Sequence, residues 1–133
     1  MMIEPREHSF QDETYQIGID FDGVIHKNSK GFHDGTIYDE PIEGVKKGLE
    51  YLSKSYKLVI YTCKANPDRP LINGKTGSKL IYDWLVKYEL DSYIYNIVYE
   101  KPNAKYYIDD KAICFIDWNQ ILKTVKWIKK LLN

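Results

Sequence analysis

Hydrophobic and polar residues are distributed along the chain in short segments whose periods alternate between those of strands and helices. Segments rich in Ile, Val and Tyr that are apolar on both faces at their centres are typical of strands buried inside a parallel sheet. The predicted strands are YQIGID at 15–20, YKLVIYT at 56–62, YIYNIVY at 93–99, KYYID at 105–109 and AICF at 112–115. Longer segments with apolar residues at helical spacing predict helices over 42–54, after Pro41 as a helix start, 76–90 and 118–132.

This alternation of strands and helices predicts the fold class. It indicates an α/β fold, a single Rossmann-like domain with a mostly parallel central sheet and helices on both faces. A chain of 133 residues suits one such domain, which buries about two-thirds of the surface of the unfolded chain. Residues 1–14 have little apolar content, so we expect a polar N-terminal tail followed by one domain over 15–133.

Polar side chains follow three of the predicted strands at their carboxyl ends, where open parallel sheets bind ligands. Asp20 and Asp22 follow the first strand, Thr62 ends the second, and Asp109 with Asp110 ends the fourth. An Asp-x-Asp pair by itself is common in surface turns. In an extended chain, alternate residues point to the same side, so the carboxylates of Asp20 and Asp22 would lie close together and repel each other. Either a cation lies between the two carboxylates or one of them holds a proton. The coincidence of these groups at one sheet edge predicts a functional site.

Charge and cysteine content narrow the possible functions. Lysine plus arginine and aspartate plus glutamate both number 19, so no overall basic field indicates nucleic acid or an anionic membrane as a partner. No uncharged apolar run approaches the roughly 20 residues of a membrane span, and the polar, acidic N-terminal segment is unlike a signal peptide. We therefore expect a cytoplasmic location and no membrane partner. Cys63 and Cys114 lack metal-ligand spacing and are expected to be free thiols.

The residues at the strand ends resemble the four motifs of the haloacid dehalogenase-like (HAD) superfamily of aspartate-dependent phosphohydrolases. DFDGVI at 20–25 is similar to its first motif, Thr62 in VIYTC to its second, Lys101 in EKPNAKYYIDD to its third and Asp109-Asp110 to its fourth. The resemblance covers residues 15–118, and small capless phage and bacterial members with a Lys-Pro-x-Ala…Tyr-Ile-Asp-Asp-Lys/Arg-Ala signature are the most similar. It implies a central first strand, flanked by the strands that end at Thr62 and Asp109.

The resemblance also implies a mechanism. Asp20 would be the nucleophile that forms an aspartyl-phosphate, and Asp22 the general acid and then the base that activates water. Mg²⁺ would be held by the Asp20 carboxylate, the Asp22 backbone carbonyl and Asp109, with Asp110 acting from outside the ligand set or through water. Lys101 would neutralise the phosphoryl charge. The residues implied to bind the substrate phosphate are Phe21, Gly23, Thr62, Cys63 and Lys101, and Gly23 would allow a sharp turn that aims backbone amides at it.

Several of these residues have a second interpretation. Lys64 or Lys105 could supply the positive charge in place of Lys101. The Thr62 side chain could cap a loop, and Asp110 could be a turn-forming residue.

Two other classes of phosphate chemistry match parts of the chain. CKANPDR at 63–69 has the Cys-x5-Arg spacing of cysteine-dependent phosphatases, but Pro67 removes one backbone N–H and the usual glycine is missing. A non-enzymatic, receiver-like phosphoacceptor domain also gathers Asp, Thr and Lys side chains at strand ends. Its lysine comes last in the chain, whereas Lys101 precedes Asp109 here.

The segments between the motifs are too short for a cap domain. Residues 24–41 could form at most a small flap, in which His26 and His33 are expected to be solvated, and 63–100 are largely used by one helix and one strand. We therefore expect an open site that takes a phosphorylated substrate, with a nucleotide or the terminal phosphate of a nucleic-acid end as candidates. The pattern does not specify an oligomeric state.

Overall fold

The computed structural model describes residues 15–112 and 115–132, which form an α/β fold. In chain order the elements are β1 (Gln16–Asp20), α1 (Val45–Ser53), β2 (Lys57–Tyr61), α2 (Gly77–Lys87), β3 (Ile94–Val98), β4 (Tyr106–Ile108) and α3 (Trp118–Leu132). The four strands form one sheet in the order β3-β2-β1-β4, and every neighbouring pair is parallel. The predicted α/β class, the parallel sheet and the central position of the first strand are confirmed.

The core lies on one face of this sheet. Ile17 and Ile19 of β1 point to the same side because they alternate with Gly18, and they are in register with Leu58 and Ile60 of β2. The buried helix residues packed on these strands belong to both α1 and α2, namely Leu49, Ile81, Trp84 and Leu85. Full burial of one such aliphatic side chain contributes about 1.5–3 kcal/mol, so this face holds the sheet and the first two helices together.

The other face of the sheet differs from the prediction of helices on both sides. Gly18 lies beneath two aromatic rings, since a Cβ there would be 3.0 Å from Tyr107 and 3.3 Å from Tyr61. Helix α3 contributes no residue to the buried core of the described part of the chain, and Trp127 remains 61% exposed. Within the described residues, helices therefore cover one face, and tyrosine side chains cover the centre of the other.

The first two helices are shorter than their predicted ranges for local reasons. Helix α1 begins after Gly44, whose φ of +91° is left-handed, so the predicted start at Pro41 is wrong. Pro41 instead forms an isolated antiparallel bridge with His26. Helix α2 begins after Thr76, whose side chain accepts a 3.2 Å hydrogen bond from the Lys79 amide, and it ends at Lys87.

Two predictions concern chain segments that lie at or beyond the described residues. The N-terminal tail over 1–14 lies outside them. The predicted strand over 112–115 includes 113–114, which also lie outside the described residues. Its two end residues, Ala112 and Phe115, are not in a strand. None of the helices in 15–112 and 115–132 combines the length and the apolar character needed to cross a membrane.

Candidate active site

The carboxyl ends of β1 and β4 bring three aspartates together at one edge of the sheet. One carboxylate oxygen each from Asp20, Asp109 and Asp110 lies within 4.8 Å of the other two. Asp20 is the last residue of β1, and Asp109 directly follows β4, its parallel neighbour, so the register of the sheet produces this meeting. We call these three residues the acidic cluster. Its all-oxygen donor set suits a hard cation such as Mg²⁺.

The electrostatic environment of Asp20 also favours a cation. Burial raises the pKa of Asp20, and repulsion from Asp109, Asp110 and Asp22 raises it further. The Phe21 amide opposes this by donating a 2.8 Å hydrogen bond to Asp20 Oδ1. A divalent cation among these carboxylates would reverse the repulsion and favour an ionised Asp20. The acidic cluster therefore fits Mg²⁺ by donor type, proximity and charge.

Asp109 is held in place by two hydrogen bonds. The Lys111 amide donates to Oδ1 at 2.7 Å and the Tyr61 hydroxyl to Oδ2 at 3.0 Å. The Lys111 bond, followed by the Tyr61 bond, lowers the pKa of Asp109 despite partial burial. Tyr61 was missed as a site residue in the sequence. The feature that could have identified Tyr61 is its pairing with Asp20 in the neighbouring strand, because paired residues of parallel strands point to the same face of the sheet.

Asp110 lies over the turn that follows β1. Its Oδ2 atom is only 2.5 Å from the position that a Cβ would occupy at Gly23. Gly23 has a φ of +89°, a left-handed conformation that favours glycine, and a side chain there would also displace the Asp110 carboxylate. The sequence placed Asp110 outside the ligand set, whereas its position in the acidic cluster makes its carboxylate a candidate metal ligand. The role of the Asp22 backbone carbonyl stays a prediction.

The side chain of Asp22 belongs to a second group of residues. Lys64 Nζ lies 3.0 Å from Asp22 Oδ1 and 2.9 Å from Oδ2, and His26 Nδ1 lies 2.8 Å from Oδ1. Burial alone would raise the pKa of Asp22, but the hydrogen bonds from His26 and Lys64 outweigh it and the pKa is lowered. Asp22 therefore has different partners from Asp20, although the two residues are separated only by Phe21.

His26 is fully buried, so the prediction of a solvated loop histidine is wrong. The turn after β1 folds back sharply, because the amides of residues 24, 25 and 26 all lie within 3.2 Å of the Phe21 carbonyl oxygen. The His26 ring then stacks on Phe21 with 5.5 Å between ring centroids. His26 Nε2 accepts a 3.0 Å hydrogen bond from the Asp39 amide, so Nδ1 carries the proton donated to Asp22. His33 is exposed, as predicted.

The amides expected to face a phosphate at the first motif already have acceptors within the chain. The Phe21 amide donates to Asp20 Oδ1, and the Gly23 amide donates to the His26 carbonyl oxygen at 2.8 Å. A phosphate oxygen would have to share or displace these bonds. The implied phosphate contacts of Phe21 and Gly23 are therefore not prepared by this arrangement, because the fold of the turn uses both groups.

Thr62 lies at the end of β2 and is buried. Its amide donates to the Val98 carbonyl oxygen at 3.0 Å, and its hydroxyl accepts a 3.3 Å bond from the Lys64 amide. It does cap the short 3₁₀ turn that follows, as the second interpretation proposed. The hydroxyl hydrogen is still available as a donor, so capping and phosphate binding are compatible.

The loop after Thr62 is not organised as a phosphate-binding loop of the cysteine-dependent type. Its amides at positions 64, 65, 66, 68 and 69 all donate to acceptors within residues 62–66. Pro67 has no N–H, and the Arg69 guanidinium stacks over the Phe32 ring at 5.1 Å. Cys63 is an exposed free thiol. Of the amides in 63–69, only that of Cys63 has no such acceptor, which is too few donors to cradle a phosphate.

The two candidate lysines of the third motif lie at opposite ends of β4. Lys101 Nζ is 4.3 Å from the Tyr107 ring centroid and 5.9 Å from that of Tyr61, and its charge contributes to the lowered pKa of Asp109. Lys105 precedes β4, and its amide donates to the Gln16 carbonyl oxygen at the start of β1. Only Lys101 of this pair is placed beside the acidic cluster.

An open groove adjoins the site on the β3 side. Its volume is about 600 Å³, and its lining includes Ala65, Val98, Tyr99, Lys101 and Pro102.

Comparison of the chain with family models, with curated proteins and with solved structures finds no match in any of the three. The function of the site is therefore inferred from its own residues.

Proposed function

We propose that this chain is a Mg²⁺-dependent phosphohydrolase that acts through an aspartyl-phosphate on Asp20. The observation that carries the proposal is the acidic cluster, in which a partly buried Asp20 lies beside Asp109 and Asp110 with Lys101 close by. The order of these residues along the chain resembles that of the HAD-like phosphohydrolases. The proposal includes a Rossmann-like domain without a cap domain over the site.

Each reacting group has a defined part in a two-step reaction. An Asp20 oxygen attacks phosphorus and the bond from phosphorus to the leaving oxygen breaks. Asp22 reacts here in its protonated form, although His26 and Lys64 lower its pKa, and it donates its proton to the leaving oxygen. Asp22 then accepts a proton from water as the water oxygen attacks phosphorus, which releases inorganic phosphate and restores the Asp20 carboxylate. Asp20, Asp109 and Asp110 would hold Mg²⁺, which when bound supplies positive charge against the repulsion between carboxylate and phosphoryl groups. Lys101 adds a second cation there.

The direct test is the release of inorganic phosphate from a generic aryl phosphate. We expect steady turnover with Mg²⁺, loss of activity with EDTA, and recovery when Mg²⁺ is added in excess, because the acidic cluster cannot accept a phosphoryl group while its charges are uncompensated. Full activity in the presence of chelator would contradict the metal assignment. Phosphorylation without continued phosphate release would favour a receiver-like phosphoacceptor.

The cysteine-dependent mechanism predicts a different mutational result. Cys63→Ser keeps the backbone of the 3₁₀ turn and removes only an exposed thiol. We therefore expect the variant to retain most of the wild-type turnover, measured as phosphate release under the same conditions. Complete loss of activity in Cys63→Ser, together with an active Asp20→Asn variant, would move the chemistry to Cys63.

The open groove supports a substrate that extends away from its phosphate. It lies beside Lys101, and Pro67, Tyr99 and Pro102 give it apolar walls. A nucleotide or a phosphorylated nucleic-acid end is the substrate class that we propose, and the equal numbers of acidic and basic residues argue for local rather than global recognition of a nucleic acid. A screen of phosphorylated metabolites and phosphorylated oligonucleotides with Mg²⁺ would distinguish these classes.

A further inference from the structure

Lys64 is a buried cation whose charge is committed to one carboxylate. Its side chain is about 7% exposed, and its ammonium contacts both oxygens of Asp22 within 3.0 Å. Burial of an ammonium is strongly unfavourable unless it is paired and hydrogen-bonded, so a buried lysine stays in place only with a partner of this kind. The position of Lys64 is therefore coupled to that of Asp22.

The backbone of Lys64 is fixed by the elements on either side of it. Its amide donates to Thr62 Oγ1 at 3.3 Å in the 3₁₀ turn. Its carbonyl oxygen packs against Gly77, the first residue of α2, where a Cβ would approach to 1.6 Å. The side chain thus extends toward Asp22 from a rigid junction between β2 and α2.

His26 holds the same carboxylate from a second direction. Its Nδ1–H donates to Asp22 Oδ1 at 2.8 Å, and its ring is fixed by the Asp39 amide. The Asp39 carbonyl oxygen in turn accepts a 2.8 Å hydrogen bond from the Trp84 indole N–H of α2. Asp22 is therefore restrained through two connections that both lead to α2, and neither connection includes a member of the acidic cluster.

We propose that Lys64 is a positioning residue that acts on the reaction through Asp22 and not through the transferred phosphoryl group. The inference rests on the proposed phosphohydrolase function. Lys64 holds the Asp22 carboxyl group in the orientation from which it exchanges a proton with the leaving oxygen and then with water. Lys64 itself touches neither the phosphoryl group nor the reacting water.

A double-mutant cycle between Lys64→Met and Asp22→Asn tests whether Lys64 acts through Asp22. The first measurement is steady turnover of an alkyl phosphate, whose leaving oxygen needs a proton. We expect Lys64→Met alone to reduce its kcat by about 10- to 100-fold with little change in KM, a part of the effect that general acid–base catalysis commonly supplies. Formation of the Asp20 phosphoenzyme from an activated aryl phosphate should fall much less, because this step needs little protonation of the leaving group.

The second measurement is the rate at which the Asp20 phosphoenzyme forms from the activated aryl phosphate. Asp22→Asn and the Asp22→Asn/Lys64→Met double variant should form it at rates within about twofold of each other, since Lys64 has no carboxylate left to position. A further fall of tenfold or more in the double variant would show that Lys64 contacts the phosphoryl group and would overturn the proposal. In Lys64→Met, an equal loss in alkyl phosphate turnover and in phosphoenzyme formation from the aryl phosphate would overturn it as well.

Two controls separate positioning from a structural effect. Lys105→Met removes an exposed lysine at the other end of β4 and should leave both rates unchanged. Lys64→Arg keeps a cation beside Asp22, so it should retain more of the alkyl phosphate turnover than Lys64→Met does, and the reverse order would contradict the proposal. If Lys64→Met does not fold, this Arg variant alone decides, by the ratio of its alkyl phosphate turnover to its rate of phosphoenzyme formation from the aryl phosphate. A wild-type protein without phosphate release would instead reject the proposed function, and this inference with it.

Discussion

The Asp20→Asn variant is expected to lose phosphatase activity, by a factor on the order of 10⁴ or more, since the loss of a nucleophile commonly has such an effect. The change removes the attacking oxygen and one negative charge from the acidic cluster at the same time. It leaves unchanged the contacts of the Asp22 carboxylate with Lys64 and His26. Phosphate release from an aryl phosphate with saturating Mg²⁺ measures the effect.

Asp22→Asn is the matched variant, and it should behave differently. Attack by Asp20 on an activated aryl phosphate needs little protonation of the leaving group, so phosphorylation should persist while hydrolysis of the acyl phosphate slows. Mass spectrometry should then find one added phosphoryl group on the peptide that contains Asp20. An adduct on any other residue, or wild-type turnover in both variants, would show that the proposed mechanism is wrong.

Gly77→Ala is expected to destabilise the protein by about 3 kcal/mol or more, because the new methyl group has no space and the backbone must move. A Cβ at Gly77 would lie 1.6 Å from the Lys64 carbonyl oxygen and 2.7 Å from its carbonyl carbon. Neither atom belongs to a flexible side chain, so the junction of β2 and α2 would have to separate. Thermal or urea unfolding should show a fall in melting temperature of roughly 10 °C or more.

Gly48→Ala is the control for the Gly77 variant. Gly48 lies inside α1, and a Cβ there meets no atom within 4 Å. Alanine should therefore stabilise the protein by about 0.5–1 kcal/mol through helix propensity alone. Equal effects of the two substitutions would show that the close contact at Gly77 does not govern its stability.

The sequence predicted the sheet well because its strands carry their own signal. The segments at β1 and β2 are apolar on both faces, and that pattern has few interpretations other than central parallel strands. The amphipathic pattern of α3 is less informative, since it shows that one side of a helix is apolar without showing which surface covers that side. The prediction of helices on both faces failed for the described residues at this point.

The site was only partly accessible from the sequence. Asp20, Asp109 and Asp110 could be grouped because each lies at, or directly after, the carboxyl end of a predicted strand and parallel strands share an edge. The pairing of Asp22 with Lys64 joins positions 42 residues apart, and it depends on the direction of a 3₁₀ turn that spacing does not reveal. His26 was misassigned because its burial comes from a turn that folds back onto Phe21, whereas the residues that follow it in the chain, from Lys27 to Lys30, are all polar.

The aromatic setting of Lys101 has a consequence for how the site receives an anion. The faces of Tyr107 and Tyr61 attract its ammonium through their ring electrons, and such an attraction does not use up any particular N–H group. A carboxylate partner would instead accept one or more of the three N–H groups and would have to be exchanged for the incoming ligand. Lys101 can therefore be restrained in position and still present hydrogen-bond donors. The entropy cost of ordering its side chain is then part of folding, so that it does not weaken the binding of an oxyanion.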